Sequence, residues 1–227
     1  MFIINVLDYI NGKSDVSLAQ LYSIEEDLAL TRSNNSGDWT YVNNYSFFTN
    51  LNNCGYIDGG KCGYIAAAML LVYDKINNSK DTASYGYHYS YSYENKNYSI
   101  KTDLPTALYN LGVSLGYGAA TTSVEIHYTV EAWLLDRGFI VDHTSLYVPF
   151  GNNVTIAIKI DNDRPTIWFG NVFEQNFDDT TGNHAVVVYG YKNSALTGYD
   201  YVAHFGWNGA TMVYYSGILG SVYTYEW

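Results

Sequence analysis

Gly63-Tyr-Ile-Ala-Ala-Ala-Met-Leu-Leu-Val-Tyr-Asp-Lys-Ile76 is the stretch whose reading decides the fold. Three alanines followed by methionine and two leucines combine high helix propensity with an apolar face, which predicts the best helix of the chain over 63–76. Its apolar run, Tyr64 to Tyr73, is about ten residues, half of what a bilayer-spanning helix requires. No membrane span is therefore expected.

Outward from this helix, the chain reads as helices first and strands later. Upstream, residues 15–31 carry a weak helical pattern (Val16, Leu18, Leu21, Ile24, Leu28, Leu30) and Ser33-Asn-Asn-Ser-Gly37 reads as a loop. The body of the domain is expected to begin near Trp39, which makes 1–38 an N-terminal extension or pro-segment remnant and 39–227 the domain proper. Downstream, helices are expected at 103–115 and at about 124–137, the second ending at Gly138 as a left-handed cap would. Tyr85-Gly-Tyr-His-Tyr-Ser-Tyr-Ser-Tyr93 reads as an irregular, half-exposed connection, with an aromatic strand or a ligand-binding loop as the alternatives. After Gly138, β-branched and aromatic runs separated by turn residues give candidate strands at 139–142, 154–160, 165–169, 184–191, 200–205 and 211–216. This order predicts an α+β domain in which an antiparallel sheet packs against an earlier helical half.

Composition narrows the function classes. The 227 residues carry 22 acidic and 11 basic side chains, a formal charge of −11, with 48% apolar residues. That balance describes a globular chain and argues against nucleic acid, whose phosphates need clustered lysine and arginine. The amino terminus, Met1-Phe-Ile-Ile-Asn-Val-Leu-Asp-Tyr-Ile10, lacks the basic segment and small-residue cleavage site of a secretory signal. Two cysteines, Cys54 and Cys62, allow at most one disulfide and lack CxxC spacing, and no ligand set for a metal is recognisable. Neither metal nor cofactor is expected.

Cys62 stands where the 63–76 helix begins, so its sulfur lies near unsatisfied backbone N–H groups and the positive end of the helix dipole. Both favour the thiolate, the form that attacks carbonyls; the alternative is a small buried hydrophobe on a core helix. His184 opens Asn183-His-Ala-Val-Val-Val-Tyr-Gly190, a strand-forming run entered from a polar turn. A histidine at a strand mouth suits a general base, or simply caps the strand. The segment Tyr201-Val-Ala-His-Phe-Gly-Trp-Asn-Gly209 places His204, Trp207 and Asn208 at the end of the next strand, near His184 if 184–191 and 200–205 form a hairpin.

These residues resemble the papain-like cysteine peptidases, bacterial type. Cys62-Gly-Tyr-Ile-Ala-Ala-Ala-Met-Leu-Leu71 is similar to their nucleophile helix, Asn183-His-Ala-Val-Val-Val-Tyr-Gly-Tyr191 to their histidine strand, and His204-Phe-Gly-Trp-Asn-Gly209 to the Trp- and Gly-rich third element of streptopain and related bacteriocin-processing peptidases. Ile156-Ala-Ile-Lys-Ile-Asp-Asn-Asp-Arg-Pro165 resembles the segment before the histidine strand in bacterial members. The resemblance covers roughly 50–215 and implies a papain-like fold, with a helical half carrying the nucleophile helix packed on an antiparallel sheet. It implies peptide-bond hydrolysis through a Cys62 thioester, with His184 as base and then acid and the N–H groups near Cys62 and Gly63 holding the oxyanion.

Two positions depart from the family pattern. His204 stands where an asparagine would orient the catalytic imidazole, with Asn208 the second choice, and Tyr56 stands where the family places its oxyanion glutamine. Asn53 is then the favoured amide donor, ahead of Asn52. Trp207 is expected to contact substrate. A peptide or protein substrate follows from the resemblance, and a monomer is expected; family habit and the acidic, lysine-poor surface suggest a secreted or cell-surface location, whereas the missing signal argues for truncation or a cytosolic life. The competing functions are a degenerate papain-like domain that binds peptide or glycan through its tyrosine-rich surface, and a transpeptidase using the same thiol.

Overall fold

Twelve consecutive residues of one helix, Gly63 to Asp74, are buried. The computed structural model to which that helix belongs describes residues 39–119, 122–148, 154–172, 181–194, 198–207, 213–215 and 220–226. The helical pattern at 15–31, the loop at 33–37 and Asn208 lie outside the described residues.

Within the described residues the protein is α+β. In chain order the elements are β1 (Thr40–Tyr41), α1 (Ser46–Thr49), β2 (Leu51–Cys54), α2 (Cys62–Asn78), β3 (Tyr89–Ser92), β4 (Asn97–Ile100), α3 (Asp103–Ser114), α4 (Ser123–Leu135), β5 (Asp142–Val148), α5 (Val154–Asp161), β6 (Thr166–Val172), β7 (Thr181–Ser194), β8 (Gly198–His204), β9 (Val213–Tyr215) and β10 (Gly220–Glu226). The main sheet has the order β5-β10-β6-β7-β8-β9, with β1 also pairing to β7, and all its pairings are antiparallel. α2 packs against β6 and β7 of this sheet and against α3 and α4. A helix apolar on every side has to be enclosed in this way.

Local chemistry accounts for the ends of the helices. Thr122 and Glu125 form a reciprocal capping box at the start of α4. Beyond its end, Gly138 takes a left-handed φ of 78° and its N–H bonds the Leu135 carbonyl at 2.9 Å. The far end of α2 is held by Asp163, whose carboxylate accepts from the Asn43 N–H (2.6 Å), Asn43 Nδ2 (3.0 Å), Tyr73 Oη (2.9 Å) and Asn77 Nδ2 (2.8 Å). One carboxylate thus ties α2 to the segment after β1 and to the turn before β6.

Four expectations need correction, the first being the strand expected at 139–142, which begins only at Asp142 and runs to Val148 as β5. Residues 154–160 form a helix, not a strand. The β-branched content pointed to a strand, but Ile156, Ala157 and Ile160 are buried while Ile158 and Lys159 are only partly so, a helical period whose packing outweighs weak intrinsic propensity. The first half is not purely helical either. It holds a three-stranded sheet, β2-β4-β3, in which Tyr89–Ser92 pairs with Asn97–Ile100 and Tyr91 sits on its cross-strand partner Tyr98 at 4.6 Å, so part of the tyrosine-rich segment is a strand. Finally, the main sheet includes β10, beyond the last strand expected from sequence. It lies between β5 and β6 and is buried along most of its length, so it lacks the alternation that marks a half-solvated strand.

β7 crosses the sheet interior and depends on Gly190, where the register with β8 shifts. A Cβ there would lie 2.6 Å from Tyr41 Cδ1, 2.7 Å from Val202 Cγ1 and 2.9 Å from the Thr40 carbonyl oxygen. Gly190→Ala is expected to lower the stability of the fold by roughly 1–3 kcal/mol, as overpacking does, read as a reduced urea midpoint with an unchanged m-value.

Candidate active site

α2 begins at Cys62 with Lys61 as its N-cap, and no side chain caps the end. The N–H groups of Tyr64 and Ile65 bond the Lys61 carbonyl at 3.0 and 3.2 Å, whereas those of Cys62 and Gly63 take no partner among the described residues. The half-buried Cys62 thiol is therefore flanked by two backbone donors with no partner among the described residues, at the positive end of a 17-residue helix. Gly59 (φ 87°) and Gly60 (φ 70°) turn the chain into this end through the left-handed region, which glycine adopts without a Cβ penalty.

His184 lies on β7 opposite Gly170 of β6. Its Nε2 is 2.8 Å from the Phe205 carbonyl oxygen. A carbonyl only accepts, so Nε2 carries the proton and donates, and in the neutral ring the lone pair resides on Nδ1. Trp207 stacks on the imidazole, with centroids 4.7 Å apart and planes 25° apart. This cover excludes water and pushes the His184 pKa down, against the Phe205 bond, which pulls it up. At neutral pH the imidazole is a neutral base.

The structure does not bring His204 into hydrogen-bond contact with His184. The His204 ring is fully buried, its Nδ1 accepts from the Gly206 N–H at 3.0 Å and its Nε2 faces the Leu51 carbonyl oxygen at 3.4 Å. Among the described residues, the group hydrogen-bonded to the His184 imidazole is the Phe205 carbonyl. Sequence reasoning overlooked this group because a backbone oxygen has no residue signature. From sequence, Cys54 is expected to be structural or to pair with Cys62 in a disulfide. It is buried, and its Sγ donates to the Gly206 carbonyl at 2.7 Å. Both cysteines are free thiols, so no disulfide joins them.

The remaining candidates fall around the same turn. A Cβ on Gly206 would lie 3.4 Å from Ile65 Cγ2 and 4.0 Å from Met69 Cε, so the turn bearing Phe205 and Trp207 rests on the first turns of α2. Asn53, on β2 next to Cys54, is exposed, and its Oδ1 accepts from the Gly55 N–H at 2.9 Å, which leaves the amide nitrogen as a donor. Tyr56 points its hydroxyl to Asp58 at 2.7 Å. No hydrogen bond joins Cys62 Sγ to the His184 ring among the described residues. The site is thus a thiol at a helix end and an oriented imidazole, on elements that meet through Gly206.

No protein-family model and no curated protein matches the chain.

All five histidines have pKa values held below the ordinary 6.5, with desolvation as the leading cause in each, and His143 and His204 are lowered to about 4. The unfolded chain therefore binds more protons than the folded one as pH falls from about 6.5 towards 4. The stability contributed by these neutral rings is complete above 6.5 and is lost through that window, on the order of 3 kcal/mol for a ring lowered that far. The urea midpoint is expected to be flat from pH 7 to 8 and to decline steadily below 6.5, before most carboxylates titrate.

Proposed function

We propose that this protein is a papain-like cysteine peptidase of bacterial type, with Cys62 as nucleophile and His184 as general base and acid. The observation that carries the reading is the orientation of His184. Its Nε2–H is committed to the Phe205 carbonyl, so Nδ1 is the nitrogen available to take a proton from a thiol. The four ordered sequence resemblances, with the thiol at the start of a buried helix, support the same assignment.

In this mechanism His184 Nδ1 takes the Cys62 proton as Sγ attacks the peptide carbonyl carbon. The oxyanion is held by the N–H groups of Cys62 and Gly63 and by the amide of Asn53. The imidazolium then protonates the leaving amine, the C–N bond breaks, and a thioester remains on Cys62. His184 next takes a proton from water, whose oxygen attacks the thioester, and the acid product leaves as the thiol is restored. The Phe205 carbonyl stabilises the imidazolium by its dipole alone, more weakly than a carboxylate would.

One observation favours the binding-module reading. Tyr85, Tyr87 and Tyr93 are 56, 66 and 82% exposed, unusual for rings and suited to a contact surface for peptide or glycan.

Incubation with a denatured protein substrate is expected to generate new amino termini, and mass spectrometry of an acid-quenched reaction to show an acyl adduct on the peptide containing Cys62. Cys62→Ser and His184→Ala are each expected to lower turnover by at least a thousandfold. Binding of peptide with no new termini and no adduct would instead favour the binding module.

A further inference from the structure

The Phe205 carbonyl that receives the His184 Nε2–H and the Gly206 N–H that bonds His204 Nδ1 are the two ends of one peptide unit. That unit is planar, with C=O and N–H pointing in opposite directions, so fixing either end fixes the other. The next peptide is fixed as well, since its carbonyl, that of Gly206, accepts from Cys54 Sγ. Both anchors lead back to β2. Cys54 is its last residue, and the Leu51 carbonyl that faces His204 Nε2 belongs to its first.

We propose that His204 and Cys54 are positioning residues that clamp the Phe205–Gly206–Trp207 turn from β2, and so set the tautomer and orientation of His184. This rests on the peptidase reading only in its consequence for catalysis. His204 acts through the amide: by accepting at the N–H end it polarises the carbonyl at the other end, which then accepts more strongly from His184. The clamp requires His204 to be neutral with its lone pair on Nδ1 and Cys54 to keep its proton. Burial provides both, since it lowers the His204 pKa to about 4 and raises the Cys54 thiol to about 11. Trp207 follows directly on the clamped Gly206, so the stacking cover over His184 is set by the same two bonds.

The test is the tautomer of His184, read by long-range 1H–15N correlation on the full chain at pH 7.5. The wild type is expected to be almost wholly the Nε2–H form. Cys54→Ala removes the donor and His204→Leu the acceptor, and each is expected to give a mixture of the two tautomers. Cys54→Ser, which restores a donor, and His204→Asn, which restores an acceptor at the Nδ1 position, are expected to recover the wild-type spectrum. Unchanged His184 tautomers in both Cys54→Ala and His204→Leu overturn the proposal. Should His204→Leu fail to fold, Cys54→Ala and its serine partner decide alone. The readout needs no turnover, so a clamp seen in a protein without peptidase activity supports this proposal while removing the peptidase reading. In an active protein, Cys54→Ala is expected to lower kcat about tenfold at constant KM, with serine restoring it.

Discussion

The burial of α2 is the constraint from which the rest of the structure follows. A helix with an unbroken buried run from Gly63 to Asp74 has no solvent face, so it needs partners all around, and β6, β7, α3 and α4 provide them. Its two ends then meet different fates. The C-terminal end is fastened through Tyr73 and Asn77 to Asp163, a carboxylate whose left-handed backbone (φ 62°) is held in place by four hydrogen bonds. At the N-terminal end the N–H groups of Cys62 and Gly63 have no partner among the described residues, and Cys62 is the side chain that stands beside them.

The second requirement is an oriented imidazole, met by backbone chemistry. A carbonyl in place of an asparagine side chain fixes which nitrogen of His184 bears the proton, but brings no net charge to stabilise an imidazolium. Trp207 adds desolvation, which favours the neutral ring. The two effects together favour the neutral ring, which in the proposed mechanism acts as a general base during attack rather than as half of a standing ion pair. They also explain why the turn after β8 is so heavily constrained. A carbonyl can be aimed only by fixing its peptide plane, and Gly206 is bonded at both N–H and C=O.

Much of this was legible in the sequence where side-chain pattern carried the signal. The Ala-rich run at 66–68 marked α2, Gly138 marked the end of α4, and the β-branched run after His184 marked β7 and its hairpin with β8. Pattern misled where burial overrode propensity, as at Ile156 and Ile160, whose β-branched side chains pack as one helix face. It was silent for β10, buried along most of its length. In the candidate site, Cys62, His184 and Trp207 are candidates that the sequence itself offers, because their chemistry resides in side chains. The Phe205 carbonyl carries no such signal, and the neighbouring His204 drew the expectation of a bond to His184 that the backbone makes. The contact of Cys54 with Gly206 could not be read, because the two lie 152 residues apart in the chain.

The central claim is that Cys62 and His184 act as a pair, and the most direct measurement is the pH dependence of iodoacetamide alkylation at Cys62, with mass spectrometry distinguishing it from Cys54. The account predicts modification at neutral pH that is at least tenfold slower in the His184→Ala protein, as loss of a neutral base that assists attack requires, while the buried Cys54 stays unmodified. Slow modification that rises only towards the free-thiol range of about 8.5, and is unchanged by His184→Ala, would contradict it.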